Sequence, residues 1–265
     1  MSTITVADQR VTTPRVVRME WIKFWSLRST IATLGIAVLL VIGLGSIIAS
    51  VVGSGNSPGP NGLADPTAVS LGGVTLAALA MATLGVLTSA GEYATGTIRA
   101  TLAAVPARLP VLWAKAVVFA AATYGLMLGA VLAAFETGQA ILSSRGLATA
   151  ALSDPGVFRA VAGAALYLTG AGLIGLAVGA LLRNNAAAIT TVVGGLFLVP
   201  GLFQLLPQSW NDTVAPYLPS NAANAFMSVH ATGSTLSVGA GLAVFAGYVA
   251  VLLAGAAALL KRRDA

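Results

Sequence analysis

Long uncharged runs are the feature that most constrains the fold of this chain. Asp65 is the only charged residue between Ser29 and Gly91, and Glu136 is the only one between Ala116 and Ser144. Charged residues make up 8% of the 265 residues, whereas a soluble domain carries roughly 25%. A soluble core of this length could not bury so much apolar surface. The sequence therefore predicts an all-α polytopic membrane protein.

The apolar stretches predict six transmembrane helices, because a spanning helix needs roughly 20 apolar residues. The uncharged run that begins at Ser29 is too long for a signal-peptide core of about 7–15 residues, so we interpret it as a retained span. We expect Ser153-Asp154-Pro155 to cap the fourth span and Pro200-Gly201 to kink or shorten the fifth. The predicted spans are Thr30–Val52, Ala68–Ala90, Val111–Phe135, Val157–Leu182, Ala186–Leu206 and Ser237–Leu260.

The basic residues predict the orientation of these spans. If the N-terminus is cytoplasmic, 12 of the 14 Lys and Arg residues lie on the inner side, and only Arg145 and Arg159 lie outside. The positive-inside rule then places both termini in the cytoplasm. Topology accounts for the net charge of +6, and no basic face with an aromatic platform indicates nucleic-acid binding. All four tryptophans fall near predicted interfaces, as an aromatic belt does: Trp21, Trp25, Trp113 and Trp210.

Several kinds of chemistry have no support in the sequence. The chain has no cysteine, which excludes disulfides and thiolate metal sites, and His230 is its only histidine. No G-x-x-x-x-G-K-[S/T] phosphate loop, paired carboxylates or Ser-His-Asp set is present. We therefore expect this chain not to be an enzyme and to hold no cofactor or metal itself.

The segment before the first span predicts an amphipathic helix at Arg15–Arg28. At helical spacing Trp21, Phe24 and Trp25 share one apolar side with Val17. Such a helix would lie in the inner membrane interface with its aromatic side chains in the lipid boundary. It is either a generic anchor or a lateral helix that couples movements at the inner face to the spans.

A second inner segment, Gly91–Lys115, is unusually basic for a short turn between two apolar spans. Gly96 permits a break, and Pro106 would stop a short helix at Thr97–Val105. A short cytoplasmic helix between two long spans can transmit a push from a partner to both of them. The alternative is an ordinary basic inner loop.

The letters EYATGTIRATLAAVPARLPVLWAK in this segment resemble the region after the second span of ABC-2 type transporter permeases. EWIKFWSLRST resembles the elbow helix of that family, GLAVGALLRNNAAAI the turn between its fourth and fifth spans, and PYLPSNAANAF its outer segment before the last span. The Ala/Gly-rich composition is similar to that of actinobacterial members. The positions that match the family pattern after the second span are Glu92, Gly96, Thr97, Ile98, Arg99, Pro106, Arg108 and Lys115.

The resemblance implies a six-span permease subunit of an exporter for a hydrophobic or amphipathic compound such as a drug, lipid or peptide. A second permease copy or paralogue would complete the pathway, and two separate ATPase subunits would bind ATP and Mg. Membrane lipids would surround the complex in the bacterial plasma membrane. Short re-entrant helices would lie between spans five and six. The implied ATPase-coupling residues are Glu92, Tyr93, Gly96, Thr97, Ile98, Arg99 and Arg108, and the implied elbow residues are Trp21, Phe24 and Trp25.

Residues near the predicted span ends and small residues within the spans carry further expectations. We expect Lys115, Glu136 and Arg159 to snorkel to the interfaces. The glycines at helix-packing spacing are expected to pack spans within the chain: Gly125 with Gly129, and Gly172, Gly175 and Gly179.

The chain as a whole divides into a flexible cytoplasmic N-terminus at 1–14, the interfacial helix at 15–28, one six-span domain at 29–260 and a cytoplasmic tail at 261–265. Two other functions stay open. One is a six-span channel or a secondary carrier, although the near absence of charge at mid-span argues against ion coupling. The other is a non-transporting scaffold or immunity subunit.

Overall fold

The computed structural model describes residues 12–52, 65–94, 96, 108–230 and 236–262, and within these ranges it contains helices and no strand. Six helical stretches are long and apolar enough to cross a membrane, which confirms the predicted fold class at that level. The elements are α1 (Thr13–Ser26), α2 (Arg28–Val52), α3 (Pro66–Ser70), α4 (Val74–Ala94), α5 (Arg108–Ser144), α6 (Val157–Leu182), α7 (Asn185–Val193), a π-helix (Gly194–Leu198), α8 (Val199–Phe203), α9 (Gln208–Thr213), a 3-10 helix (Ala215–Tyr217), α10 (Pro219–Met227) and α11 (Val238–Arg262).

Helix α6 is the centre of the bundle and packs most extensively against α4. The contact is close because glycines lie on both sides of it: a Cβ at Gly175 would overlap the carbonyl oxygen of Ala82, and one at Gly85 would overlap that of Gly172. The predicted packing role of the α6 glycines is therefore confirmed. For Gly125 and Gly129 it is wrong, because a Cβ at either would meet no atom of the described residues within 4 Å.

The second predicted span is not one helix from Ala68 to Ala90 but a short helix, α3, followed by a turn and α4. Asp65 starts α3, because its carboxylate accepts a hydrogen bond of 2.9 Å from the Thr67 amide. In the turn, Gly73 lies directly against α2, where a Cβ would overlap backbone carbonyl oxygens. The close approach to α2 is possible because Gly73 has no side chain.

Helix α5 continues past the predicted end at Phe135 to Ser144. Gln139 fixes this extension: its Nε2 donates to the Pro66 carbonyl and the Ser70 hydroxyl, both at 3.0 Å, while its Oε1 accepts from the Ala150 amide at 2.8 Å. The prediction ended the helix too early because these partners for a polar side chain come from distant parts of the chain.

The fifth span begins as predicted, with the Asn184 side chain accepting a hydrogen bond of 3.0 Å from the Ala187 amide. It then passes through the π-helix immediately before Pro200 and ends at Phe203. Proline has no N–H to give the carbonyl one turn earlier, and π-turns commonly absorb such a defect. The helix is thus interrupted slightly before the predicted site and ends short of Leu206.

The start of α6 differs from the predicted cap. Asp154 accepts a hydrogen bond from the Ala151 amide at 2.8 Å, within the preceding turn, and α6 begins after Gly156, whose φ is 86°. No side chain caps this helix. The predicted capping role of Ser153-Asp154-Pro155 is wrong because the aspartate is already engaged.

In the first turns of α6, Arg159 reaches across to the end of α10. Its guanidinium donates to the carbonyls of Phe226 at 3.0 Å and Ser228 at 2.9 Å. These are carbonyls that a helix C-terminus leaves without partners. The prediction that Arg159 snorkels is therefore wrong, because its guanidinium fastens the end of α10 to α6.

Candidate functional site

One face of α1 points into the bundle and carries a charged residue. Val16, Glu20 and Phe24 follow each other at four-residue spacing and are the buried residues of this helix. Trp21 and Trp25, which the sequence places on the same apolar side as Phe24, are 45% and 38% exposed. The face that packs against the protein is therefore centred on Glu20, a residue that the predicted apolar side did not include.

Helix α5 presents a matching face to α1. Val16 packs with Val111 in a small apolar cluster, and the rings of Phe24 and Phe119 meet edge to face with centroids 5.9 Å apart. Between these two contacts, Nζ of Lys115 lies 3.0 Å from Oε2 of Glu20. The two helices thus pair in register through apolar, charged and apolar positions: Val16, Glu20 and Phe24 on α1, and Val111, Lys115 and Phe119 on α5.

The last turn of α4 joins the same contact through Glu92. Nζ of Lys115 lies 2.6 Å from Glu92 Oε1 and donates to the Thr88 carbonyl at 3.3 Å. Lys23, one turn after Glu20 on α1, forms an ion pair with the same Glu92 oxygen. We call Glu20, Lys23, Glu92 and Lys115 the ionic cluster. It joins α1, α4 and α5 at a single point.

Three of the four members of the ionic cluster are buried, and the cluster is electrically balanced. Glu20 is 3% exposed, and Glu92 and Lys115 are each 6% exposed. Two carboxylates offset two ammonium groups, as a buried charge requires if it is to remain ionised. The prediction that Lys115 snorkels is wrong, because its ammonium group turns towards Glu20 and Glu92.

Sequence reasoning identified Glu92 and Lys115 but missed Glu20 and Lys23. The signal that could have found Glu20 is the repeated spacing itself. Glu20 has an apolar residue four positions before it and another four positions after it, and Lys115 has the same pattern. Residues at this spacing share one face of a helix, so the two faces are complementary in charge. The apolar-face analysis of α1 gave most weight to the tryptophans and passed over this pattern.

Tyr93 and Gly96 are the other predicted coupling residues whose surroundings the structure describes. The guanidinium carbon of Arg183 lies 4.9 Å from the centroid of the Tyr93 ring, so the end of α4 also meets the turn between α6 and α7. Helix α4 stops at Ala94, and Gly96 has a φ of 73°, which matches the predicted break. Thr97, Ile98, Arg99 and the predicted helix Thr97–Val105 lie outside the described residues, as does the side chain of Arg108, the first residue of α5.

A cleft of about 390 Å³ opens beside the ionic cluster. Its lining includes the four charged side chains, and most of its surface is apolar. Among the described residues, no group of three or more His, Asp or Glu side chains could hold a metal ion. The arrangement can bind a polar or charged group and can transmit a displacement among three helices. The apolar lining residues are Phe24, Leu27, Leu87 and Val118.

Fold and site together define a multi-helix protein with membrane-spanning dimensions whose N-terminal helix is ion-paired to its second and third long helices. No model of a known protein family matches the chain. A search of curated proteins likewise gave no match.

Proposed function

We propose that this chain is the membrane-spanning permease subunit of an ABC-2 type exporter. It would work with a second permease copy or paralogue and with two cytoplasmic ATPase subunits, which bind ATP and Mg. The observation that supports this best is the position of the ionic cluster. Glu92 lies where the chain leaves α4, and Lys115 lies where it has just entered α5, so the cluster closes the base of the segment Gly91–Lys115.

This arrangement gives the segment a way to act on several helices together. A push on residues 97–105 from an ATPase would reach α4 and α5 through the two ends of the segment. Because Glu20 and Lys23 bind Lys115 and Glu92, α1 would follow the same movement. Helix α1 then serves as the elbow helix at the inner membrane surface, and Trp21 and Trp25 extend from it towards lipid.

The remaining features fit the same proposal. Both termini lie in the cytoplasm, and the membrane is the bacterial plasma membrane. Helices α9 and α10 form the re-entrant segment at the outer mouth, held by Arg159. The cargo is a hydrophobic or amphipathic compound, since few charged residues line the spans. Thr97, Ile98 and Arg99 meet the ATPase.

The test is reconstitution with an ATPase that co-purifies with this chain under gentle solubilisation. We expect ATP hydrolysis only when both proteins are present, and transport only with ATP. Arg99→Ala and Glu92→Gln should uncouple hydrolysis from transport, so that ATP is still hydrolysed while transport per ATP falls. Asp212→Asn, at an exposed acid of α9, is the matched control and should leave coupling unchanged.

Two results would contradict the proposal in different ways. Flux of ions or protons through liposomes without ATP would identify a channel or a secondary carrier. Stable binding of a partner with no movement of any cargo would identify a scaffold or immunity subunit.

A further inference from the structure

The ionic cluster is balanced in charge, but one of its buried carboxylate oxygens has no donor from the described residues directed at it. Oε1 of Glu20 is buried and has no hydrogen-bond partner among the described residues. Both lysine contacts of Glu92 go to its Oε1, so neither lysine binds its second oxygen. A buried acceptor without a donor is costly, and both carboxylates line the cleft. A ligand with several N–H groups would satisfy this site.

The charges around the cleft specify the ligand further. A primary ammonium group carries three N–H donors and can meet both carboxylates at once, which a trimethylammonium group cannot. Lys23 lies at the same cleft with its side chain 29% exposed, so it can also face an anion. A headgroup that combines a primary ammonium with a phosphate complements both features.

The apolar wall of the cleft indicates that this headgroup belongs to a lipid. Leu27 and Leu87 line the cleft and are 46% and 36% exposed, which gives an acyl chain an apolar path outwards. The ionic cluster lies near the end of α4 and the start of α5, at the level where a spanning helix meets lipid headgroups.

We propose that the cleft between α1, α4 and α5 binds a phospholipid with a primary-ammonium headgroup, of the phosphatidylethanolamine class. The ammonium group meets Glu20 and Glu92, and the phosphate meets Lys23. The inference rests on the proposed function in one respect, the placing of this site at the inner membrane surface, and it requires no ATPase.

The experiment titrates purified, delipidated wild-type protein with phosphatidylethanolamine, phosphatidylcholine and phosphatidylglycerol that carry identical acyl chains. Native mass spectrometry counts the bound lipid. We expect phosphatidylethanolamine to bind at least about tenfold more tightly than the other two, a difference of about 1.4 kcal/mol. Free phosphoethanolamine at the same concentration should not displace it, because it lacks the apolar chains.

A pair of variants locates the lipid. Lys23→Met should weaken phosphatidylethanolamine binding because the phosphate loses its partner. Arg18→Met, at an exposed position of the same helix, should have no effect and is the matched control.

Equal binding of phosphatidylcholine would show that N–H donors are not recognised, and equal binding of phosphatidylglycerol would show that a phosphate is enough. Either result overturns the proposal, as does displacement by free phosphoethanolamine. Because the assay contains no ATPase, these failures are distinct from a failure of the proposed transport function.

Discussion

Lys115 shows how one side chain can organise several helices. Its ammonium group has contacts with Glu20 of α1, Glu92 of α4 and the Thr88 carbonyl. In water each of these contacts would be weak, but with 6% of Lys115 exposed the electrostatic attraction is only slightly screened. Removal of the lysine would leave two carboxylates buried with only Lys23 to balance them.

Lys115→Met is therefore expected to destabilise the protein by about 3–5 kcal/mol, the usual cost of an unpaired buried charge. The midpoint of thermal unfolding in mild detergent measures this. Lys261→Met, at an exposed position in the last turn of α11, is the control and should leave the midpoint unchanged.

The double variant Glu20→Met/Lys115→Met should recover part of the loss, because apolar residues often replace a buried ion pair at little cost. If Lys115→Met unfolds at the wild-type temperature, the ionic cluster does not contribute to stability.

At the scale of elements, two kinds of helix contact hold the bundle. Helices α1 and α5 meet through large side chains and an ion pair. Helices α4 and α6 meet through glycines so closely that Ser89 Oγ donates to the backbone carbonyl of Leu176 at 2.7 Å. In lipid no hydrophobic effect drives helices together, so close packing and hydrogen bonding hold them in contact.

The same substitution should have different effects at a glycine inside the α4–α6 contact and at a glycine of α5 outside it. Gly175→Ala places a methyl group on the Ala82 carbonyl and should destabilise the protein by about 1–3 kcal/mol. In the part of the chain that the structure describes, a methyl group at Gly129 meets nothing within 4 Å, so Gly129→Ala should be neutral or stabilise by up to about 1 kcal/mol, since alanine favours the helix.

Thermal unfolding of the two glycine variants in the same detergent gives the comparison. Equal midpoints for both would mean that the α4–α6 contact is looser than described. A lower midpoint for Gly129→Ala alone would mean that α5 has a packing partner on that face, for example a second copy of the chain.

At the scale of the whole molecule, orientation in the membrane follows from charge and not from packing. The proposed arrangement places 1–14 and 261–265 in the cytoplasm and the loop between the first two spans outside. The chain contains no cysteine, so labelling of a single introduced cysteine shows on which side of the membrane that position lies, with no other thiol of the chain labelled.

A membrane-impermeant maleimide applied to intact cells should label Ser57→Cys, in the loop between the first two spans. It should label Ser2→Cys and Ala265→Cys only after the membrane is permeabilised. Labelling of either terminus in intact cells would reverse the orientation, and the proposed contact with cytoplasmic ATPases would then be wrong.

The sequence predicted the class of fold well because that class depends on length and hydropathy. The fourth predicted span, Val157–Leu182, agrees with α6 at both ends, since a turn with a glycine precedes it and a polar turn follows. Errors occurred where a distant partner decides the outcome. Gln139 lengthens α5 through hydrogen bonds to α3, and the turn that divides the second predicted span lies against α2 at Gly73.

The candidate site was predictable only in part. The segment Gly91–Lys115 was identified from its basic composition, and Glu92, Tyr93 and Lys115 from a resemblance. The pairing of Glu92 and Lys115 with α1 was not. Glu20 is close to neither of them in sequence, and a lone acidic residue in an amphipathic segment usually faces solvent.

By itself the sequence determined that the chain forms long apolar helices, how many there are and roughly where each begins, because these depend on local hydropathy and on Gly and Pro. Only the tertiary structure decided which charged side chains are buried and which glycines lie at contacts between helices. Whether a side chain is buried depends on neighbours that are remote in sequence. At the end of an isolated helix Lys115 would snorkel to the interface, but in the folded protein it lies between two carboxylates from other helices.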